Sequence, residues 1–230
     1  MPIHKYFVQE NARRSEIDEF LSQDLKRAGY SRVEMTKTPL GTRVVVYAAK
    51  PGLVIGRRGE SIRDLTQVLE QRFGVQNPQI SVATLEAPEL DAKVVASQIA
   101  MALQRGIHFR RAAYWALQRT IEAGALGVEI SIRGKLTTDR ARYEKYKAGY
   151  LPSVGEAINK LVRFAVVDTQ LKQGLFGIRV RLMPPNVSLP DKPSIREVPT
   201  QPVQPKPVLA LAAEPGDVKE VAEAAHTEET

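Results

Sequence analysis

The stretch Lys50-Pro51-Gly52-Leu53-Val54-Ile55-Gly56-Arg57-Arg58-Gly59-Glu60 decides how the chain is read. Gly56 and Gly59 enclose two arginines, and after them Ile62, Leu65, Val68, Leu69 and Phe73 recur at the spacing of one helical face until Gly74. A Gly-x-x-Gly loop that opens a helix leaves main-chain N–H groups with no side chain in front of them, and the positive end of the helix attracts anions. Arg57 and Arg58 add mobile charge at the same place, with Lys50 and Arg63 nearby in sequence. The ligand that suits such a corner is a sugar-phosphate backbone, with Lys50, Gly56, Arg57, Arg58, Gly59 and Arg63 as its contacts. The stretch has neither the glycine spacing nor the Lys-Ser/Thr pair of a loop that hydrolyses nucleotides.

Upstream, Ser15 and Asp18 read as a helix start, and Ile17, Phe20, Leu21, Leu25 and Ala28 as its buried face, closed by Gly29. Val33–Thr36 and Arg43–Ala49 read as strands joined by the turn Thr38-Pro39-Leu40-Gly41, and Gln79–Thr84 as a third strand. Residues 15–86 therefore run helix, strand, strand, glycine loop, helix, strand. That is the order of a type II KH domain, a module that clamps about four nucleotides with its Gly-x-x-Gly loop.

Further along, Leu90–Gln104 and His108–Ala123 pattern as helices, with His108 read as a cap or surface residue. Gly127–Arg133 alternates as a half-buried strand, and Ile178–Leu182 repeats the pattern with Arg179 and Arg181 on its outer face. Ile158–Val167 is expected to form another strand and Lys172–Gly177 the turn that follows it. Between the Gly127–Arg133 strand and Ile158, Arg133–Tyr150 interleaves basic residues with three tyrosines. Arg140, Arg142, Lys145 and Lys147 are its candidate phosphate contacts, the alternative being a plain polar connection. The expected fold class is thus α+β. It comprises an N-terminal helix and type II KH domain over 1–87, and a second α+β domain over 88–185 with two helices packed on a mostly antiparallel sheet. A disordered, Pro-rich acidic tail over 186–230 follows.

Charge agrees with a polyanion partner. The 230 residues carry 33 Lys+Arg against 26 Asp+Glu, with a pI near 9.6. Residues 1–190 hold 29 basic and 18 acidic residues, a net +11, whereas residues 191–230 hold 4 and 8, a net −4. With no cysteine there is no disulfide framework, thiol catalysis or zinc finger, which suits the cytoplasm. No apolar run is long enough for a bilayer and the N-terminus lacks the apolar core of an export signal, so no membrane role is expected. His4, His108 and His226 are scattered, with no metal-ligand spacing and no nucleophile elbow, so neither cofactor nor enzyme activity is expected.

Gly52–Glu60, Pro88-Glu89-Leu90-Asp91-Ala92-Lys93, Phe109-Arg110-Arg111-Ala112 and Gly177-Ile178-Arg179-Val180 together resemble the small-subunit ribosomal protein "S three" family over about residues 15–185. The lack of a bacterial-type N-terminal extension points to its archaeal or eukaryotic branch. The resemblance implies a place in the head of the small ribosomal subunit, bound to rRNA beside neighbouring head proteins and lining the channel by which mRNA enters. It also implies that the helix carrying Arg110 and Arg111 faces incoming mRNA and contributes to unwinding it. The third basic position of many bacterial members, four residues after Arg110, is Tyr114 here. Unwinding then rests on fewer charges, on stacking by Tyr114, or on another residue of the helix such as Arg119.

Helix geometry supports part of this independently. Adjacent residues point about a hundred degrees apart, so Arg110 and Arg111 cannot both lie on the buried face of Phe109, Ala113, Ala116 and Leu117. At least one is exposed or paired with an acid such as Glu122. Two other functions remain open on sequence: a nucleic-acid repair lyase or nuclease, and a free-standing KH regulator of RNA.

Overall fold

A computed structural model of the chain describes residues 3–185 and Val187. The expected acidic tail, apart from Val187, lies outside the described residues. Helix α1 (Ile3–Asp24) begins well before Ser15, which lies inside it rather than at its cap. Residues 3–14 contain no Pro or Gly to stop a helix, but their surface is open: Tyr6, Phe7 and Val8 are all exposed. From residue 4 onward burial starts only at Ile17, so apolar periodicity marks only the second half. Glu10 ties the first half down by pairing with Arg14 one turn on and with Lys37 at 2.9 Å.

A tight turn at Lys26–Ala28 ends on Gly29 in the left-handed conformation. Strands β1 (Tyr30–Thr38) and β2 (Gly41–Ala48) form the expected antiparallel hairpin, closed by the Thr38↔Gly41 pair. Next comes a short helix that sequence patterning did not suggest, α2 (Pro51–Ile55), started by Pro51 and pinned by the buried Val54. Gly56 stops it. A single turn, Arg57–Gly59, then feeds α3 (Glu60–Phe73), which Gly74 closes. Strand β3 (Pro78–Thr84) lies parallel to β2, giving the order β1-β2-β3. Leu21, Val44, Val46, Val54 and Leu69 are fully buried beneath the helices, each contributing roughly 1.5–3 kcal/mol by leaving water. This is the type II KH arrangement.

The second half builds α4 (Ala92–Gln104) and α5 (Phe109–Glu122) against a four-stranded antiparallel sheet. Its strands are β4 (Gly127–Gly134), β5 (Arg142–Gly149), β6 (Arg163–Leu171) and β7 (Gly174–Met183), in the order β5-β4-β7-β6. Ile99, Ala113, Ile130, Ile132, Ile178, Val180 and Leu182 form its core. Three local expectations change. Much of the Tyr- and Lys-rich connection is the edge strand β5. Residues 157–161 form a helical turn, α6 (Ala157–Leu161), and the strand expected over Ile158–Val167 starts only at Arg163. The β6–β7 turn is confined to Lys172-Gln173, because Gly174 already pairs with Leu171.

Strand β4 is buried on both faces rather than one. Val128, Ile130 and Ile132 meet the helices, whereas Glu129 and Ser131 are covered by long side chains of the flanking strands. Lys145 Nζ lies 2.9 Å and an Arg181 guanidinium nitrogen 3.8 Å from the Glu129 carboxylate. The two halves are joined by polar contacts. Ser31 Oγ donates to Asp91, Asp91 caps α4 by accepting from Lys93 N at 3.0 Å, and Lys93 Nζ reaches Asp18 of α1 at 3.5 Å.

Candidate nucleic-acid interface

The glycine loop is a link between two helices, and its glycines do different jobs. Gly56 has φ 73° and ψ −176°, a region open essentially only to glycine, and a β-carbon there would collide with the Ser61 hydroxyl. Gly59, with φ 76° and ψ 18°, has nothing within 4 Å of where a β-carbon would sit. Gly56 lets α3 fold back onto the loop, and Gly59 is the glycine that faces open space. Between them Arg58 adopts φ 54°, a left-handed conformation unusual for arginine. No side chain caps the first N–H groups of α3.

Lys50, Arg57, Arg58 and Arg63 all reach solvent. Among the described residues none of them pairs with an acid. The loop cations are thus free to meet an external anion, beside the uncapped end of a helix of 14 residues.

On α5 the adjacent arginines diverge. Arg110 and Tyr114 form one stripe toward β5. Arg110 is held by Glu144, and Tyr114 sets its ring edge-on to Tyr146 with centroids 5.1 Å apart. Hydrogen bonds from Arg110 and then Tyr146 hold the Glu144 carboxyl below its ordinary range, while burial and the same carboxylate push the Tyr146 phenol up to about 12. Arg111, Trp115 and Arg119 form the other stripe, spaced one turn apart. Arg119 pairs with Glu89 at 3.0 Å and lies 4.8 Å above the Trp115 ring; Arg111 has no acidic partner among the described residues. His108 caps the helix, its Nδ1 accepting from Arg110 N.

The remaining candidates scatter. Arg140 precedes β5, Arg142 starts it, and Lys147 lies along it, all three unpaired among the described residues. Lys145 is spent on Glu129, as Arg181 is in part, and Arg179 lies 5.7 Å above the exposed Phe164 ring. Lys50 of the first half and Arg111 and Arg119 of the second, remote in sequence, line one cleft with Trp115, Arg27 and Arg105. Those last three were not singled out by sequence, although the 111-115-119 spacing carried the signal for Trp115. Among the described residues no group of three His, Cys, Asp or Glu is placed to hold a metal, and no helix is long and apolar enough to cross a membrane.

Comparison with known proteins covers both halves. Residues 16–90 match the KH domain family and residues 99–182 the family described as ribosomal protein S3, C-terminal domain. The chain is 48% identical over 195 residues to the small ribosomal subunit protein uS3 of Methanocaldococcus jannaschii, covering 85% of this chain and 94% of that protein. It is 45% identical over 199 residues to the uS3 protein of Methanococcus aeolicus, covering 86% and 96%. The uS3 protein of Saccharolobus solfataricus is 44% identical over 200 residues, 87% of each chain.

Proposed function

Because this chain belongs to the uS3 family of small-ribosomal-subunit proteins, we propose that its glycine loop and helix α5 hold ribosomal RNA and incoming messenger on the subunit head. Its role is that of a structural, rRNA-binding constituent of the small ribosomal subunit in the cytoplasm. The observation that carries the loop assignment is the group of unpaired, solvent-facing cations, Lys50, Arg57, Arg58 and Arg63, around the uncapped start of α3. Phosphates neutralised there release counterions, which makes the contact strong at low salt and independent of base identity.

Helix α5 supplies the second contact. Its exposed Arg111, unpaired among the described residues, its Arg110 paired with Glu144 and the exposed Tyr114 ring offer charge and a stacking surface to a single strand in the mRNA channel. Arg140, Arg142 and Lys147 extend the basic surface along β5, beside protein neighbours in the head. No catalytic step is assigned to any residue. The role of a scaffold clamp asks only for fixed charge and shape.

The test is sedimentation of the tagged chain through a sucrose gradient, followed by RNA crosslinking and peptide mapping. Co-sedimentation with small subunits and crosslinks at peptides containing Arg57–Gly59 and Arg110–Tyr114 are expected. Protein that stays at the top of the gradient contradicts the assignment and favours a free-standing RNA regulator. Borohydride-trapped adducts with abasic DNA are the result expected of a lyase.

A further inference from the structure

A cleft of about 710 Å³ opens where the turn before β1 and the end of β2 meet helices α4 and α5. Its size falls in the roughly 300–1,000 Å³ range of sites that enclose a small ligand, and a nucleic-acid duplex is far too wide for it. Its walls are cationic. Arg27 and Lys50 come from the first half, and Arg105, Arg111 and Arg119 from the second, against the single carboxylate of Glu89. That carboxylate is occupied by Arg119, so the other four cations lack an acidic partner among the described residues.

The floor is apolar, with Val94, Met101 and Ala112 at its lining. At its side stands Trp115, the chain's single tryptophan, 46% exposed. The guanidinium of Arg119, itself fixed by Glu89, lies over the indole and sets its orientation before any ligand arrives. Lys50 is likewise positioned, because its backbone N–H donates to Ala28 O at 3.0 Å and anchors the end of β2 to the turn below it. A flat apolar ring ringed by unpaired cations is complementary to a ligand with a flat apolar part and anionic links on either side.

We propose that this cleft receives one unpaired nucleotide of an RNA strand, its base against Trp115 and its phosphates against Lys50, Arg105 and Arg111. The inference rests on the reading that the chain binds RNA and adds where, and in what conformation, one nucleotide is taken. The nucleotide must leave its helix to enter, so the cleft selects single-stranded or bulged RNA over a continuous duplex.

Trp115 is its own reporter. The full chain is titrated with fluorescein-labelled hexauridylate and with a blunt, two-stranded twelve-base-pair RNA duplex. Anisotropy gives binding and tryptophan emission gives occupancy of the cleft. Hexauridylate should quench the emission saturably with the same midpoint as the anisotropy change, and the duplex should leave emission unmoved. Trp115→Ala should weaken hexauridylate binding about tenfold by anisotropy while Trp115→Phe retains it, the loss expected for one stacked base. Arg111→Glu and Lys50→Glu should each raise the quenching midpoint fivefold or more, and Lys172→Glu, on the β6–β7 turn, should stay within twofold.

Binding by anisotropy with unchanged tryptophan emission would overturn the cleft assignment and leave the RNA reading intact. No binding of either RNA would overturn both. Equal quenching by the blunt duplex, or by a polyglutamate peptide, would also overturn it, by showing that a duplex or an acidic polypeptide is accepted in the nucleotide's place.

Discussion

The guanidinium of Arg110 grips the Glu144 carboxylate through two hydrogen bonds, Nε donating to Oε2 at 3.2 Å and Nη2 to Oε1 at 3.0 Å, while Arg111, the next residue, has no such partner among the described residues. The two arginines therefore start from different states. Arg111→Ala should weaken single-stranded RNA binding more than Arg110→Ala, because Arg110 must give up an ion pair to reach a phosphate. Glu144→Gln should strengthen binding by freeing Arg110 and removing a negative charge, and the gain should vanish at high salt. Anisotropy titrations of the three variants at two salt concentrations check the order.

The glycine loop separates folding from binding. Gly56→Ala forces a glycine-only conformation and drives a methyl group into Ser61, so a loss of about 2–3 kcal/mol in urea unfolding is expected. Ser61→Gly in the same chain should recover part of it. Gly59→Asn should cost less than about 1 kcal/mol, since Asn tolerates the left-handed conformation that Gly59 adopts. Arg58→Gly should hold or raise stability while lowering RNA affinity, so the two measurements should move apart.

The charges of that loop are countable by salt. Arg57→Glu with Arg58→Glu should lower RNA affinity and flatten the plot of log affinity against log salt. On single-stranded RNA the slope should fall by about 0.7 for each phosphate that the loop no longer neutralises. An unchanged slope across the titration removes the loop from the binding surface.

Glu129 shows why some basic residues of the second sheet are unavailable to RNA. Its carboxylate is nearly enclosed, and among the described residues only Lys145 and Arg181 neutralise it. Lys145→Ala or Arg181→Ala alone should cost under about 1 kcal/mol, because the other cation remains. The double variant strands a buried charge and should cost clearly more than the sum, about 2–3 kcal/mol. A double-mutant cycle by urea unfolding reads the coupling.

Tyr30 makes the fold sensitive to alkali. Its phenol is buried and donates to Asp18, and burial first, then that carboxylate, raise its pKa well above the ordinary value of 10.0. The unfolded chain releases this proton first, so the contribution is complete below about pH 10 and is lost as pH rises beyond it toward the folded value. Tyr30→Phe should cost about 1 kcal/mol at pH 8 and show a shallower decline between pH 9 and 11, measured by urea unfolding at each pH.

Sequence patterning found the elements with a continuous apolar face and missed those without one. Leu65, Leu69 and Gly74 marked α3 and its end, and Val128, Ile130 and Ile132 marked β4. The first half of α1 was invisible because none of the residues 4–16 is buried, and β5 because Tyr146 alone of its residues is deeply covered. Segment 157–162 misled because Ile158, Leu161 and Val162 suit a strand as well as a helical turn. The loop cations were legible since they are adjacent in the chain. The cleft was not: Lys50 and Arg111 come together only through the packing of two modules, a long-range fact with no local trace.

Strand β3 can reach its parallel place beside β2 only after the chain has crossed over through α2, the Gly56–Gly59 turn and α3. The turn that carries Arg57 and Arg58 therefore lies inside the crossover, and the strands at its two ends, β2 and β3, are zipped side by side, so the span of the connection is set by the sheet and not by the loop itself.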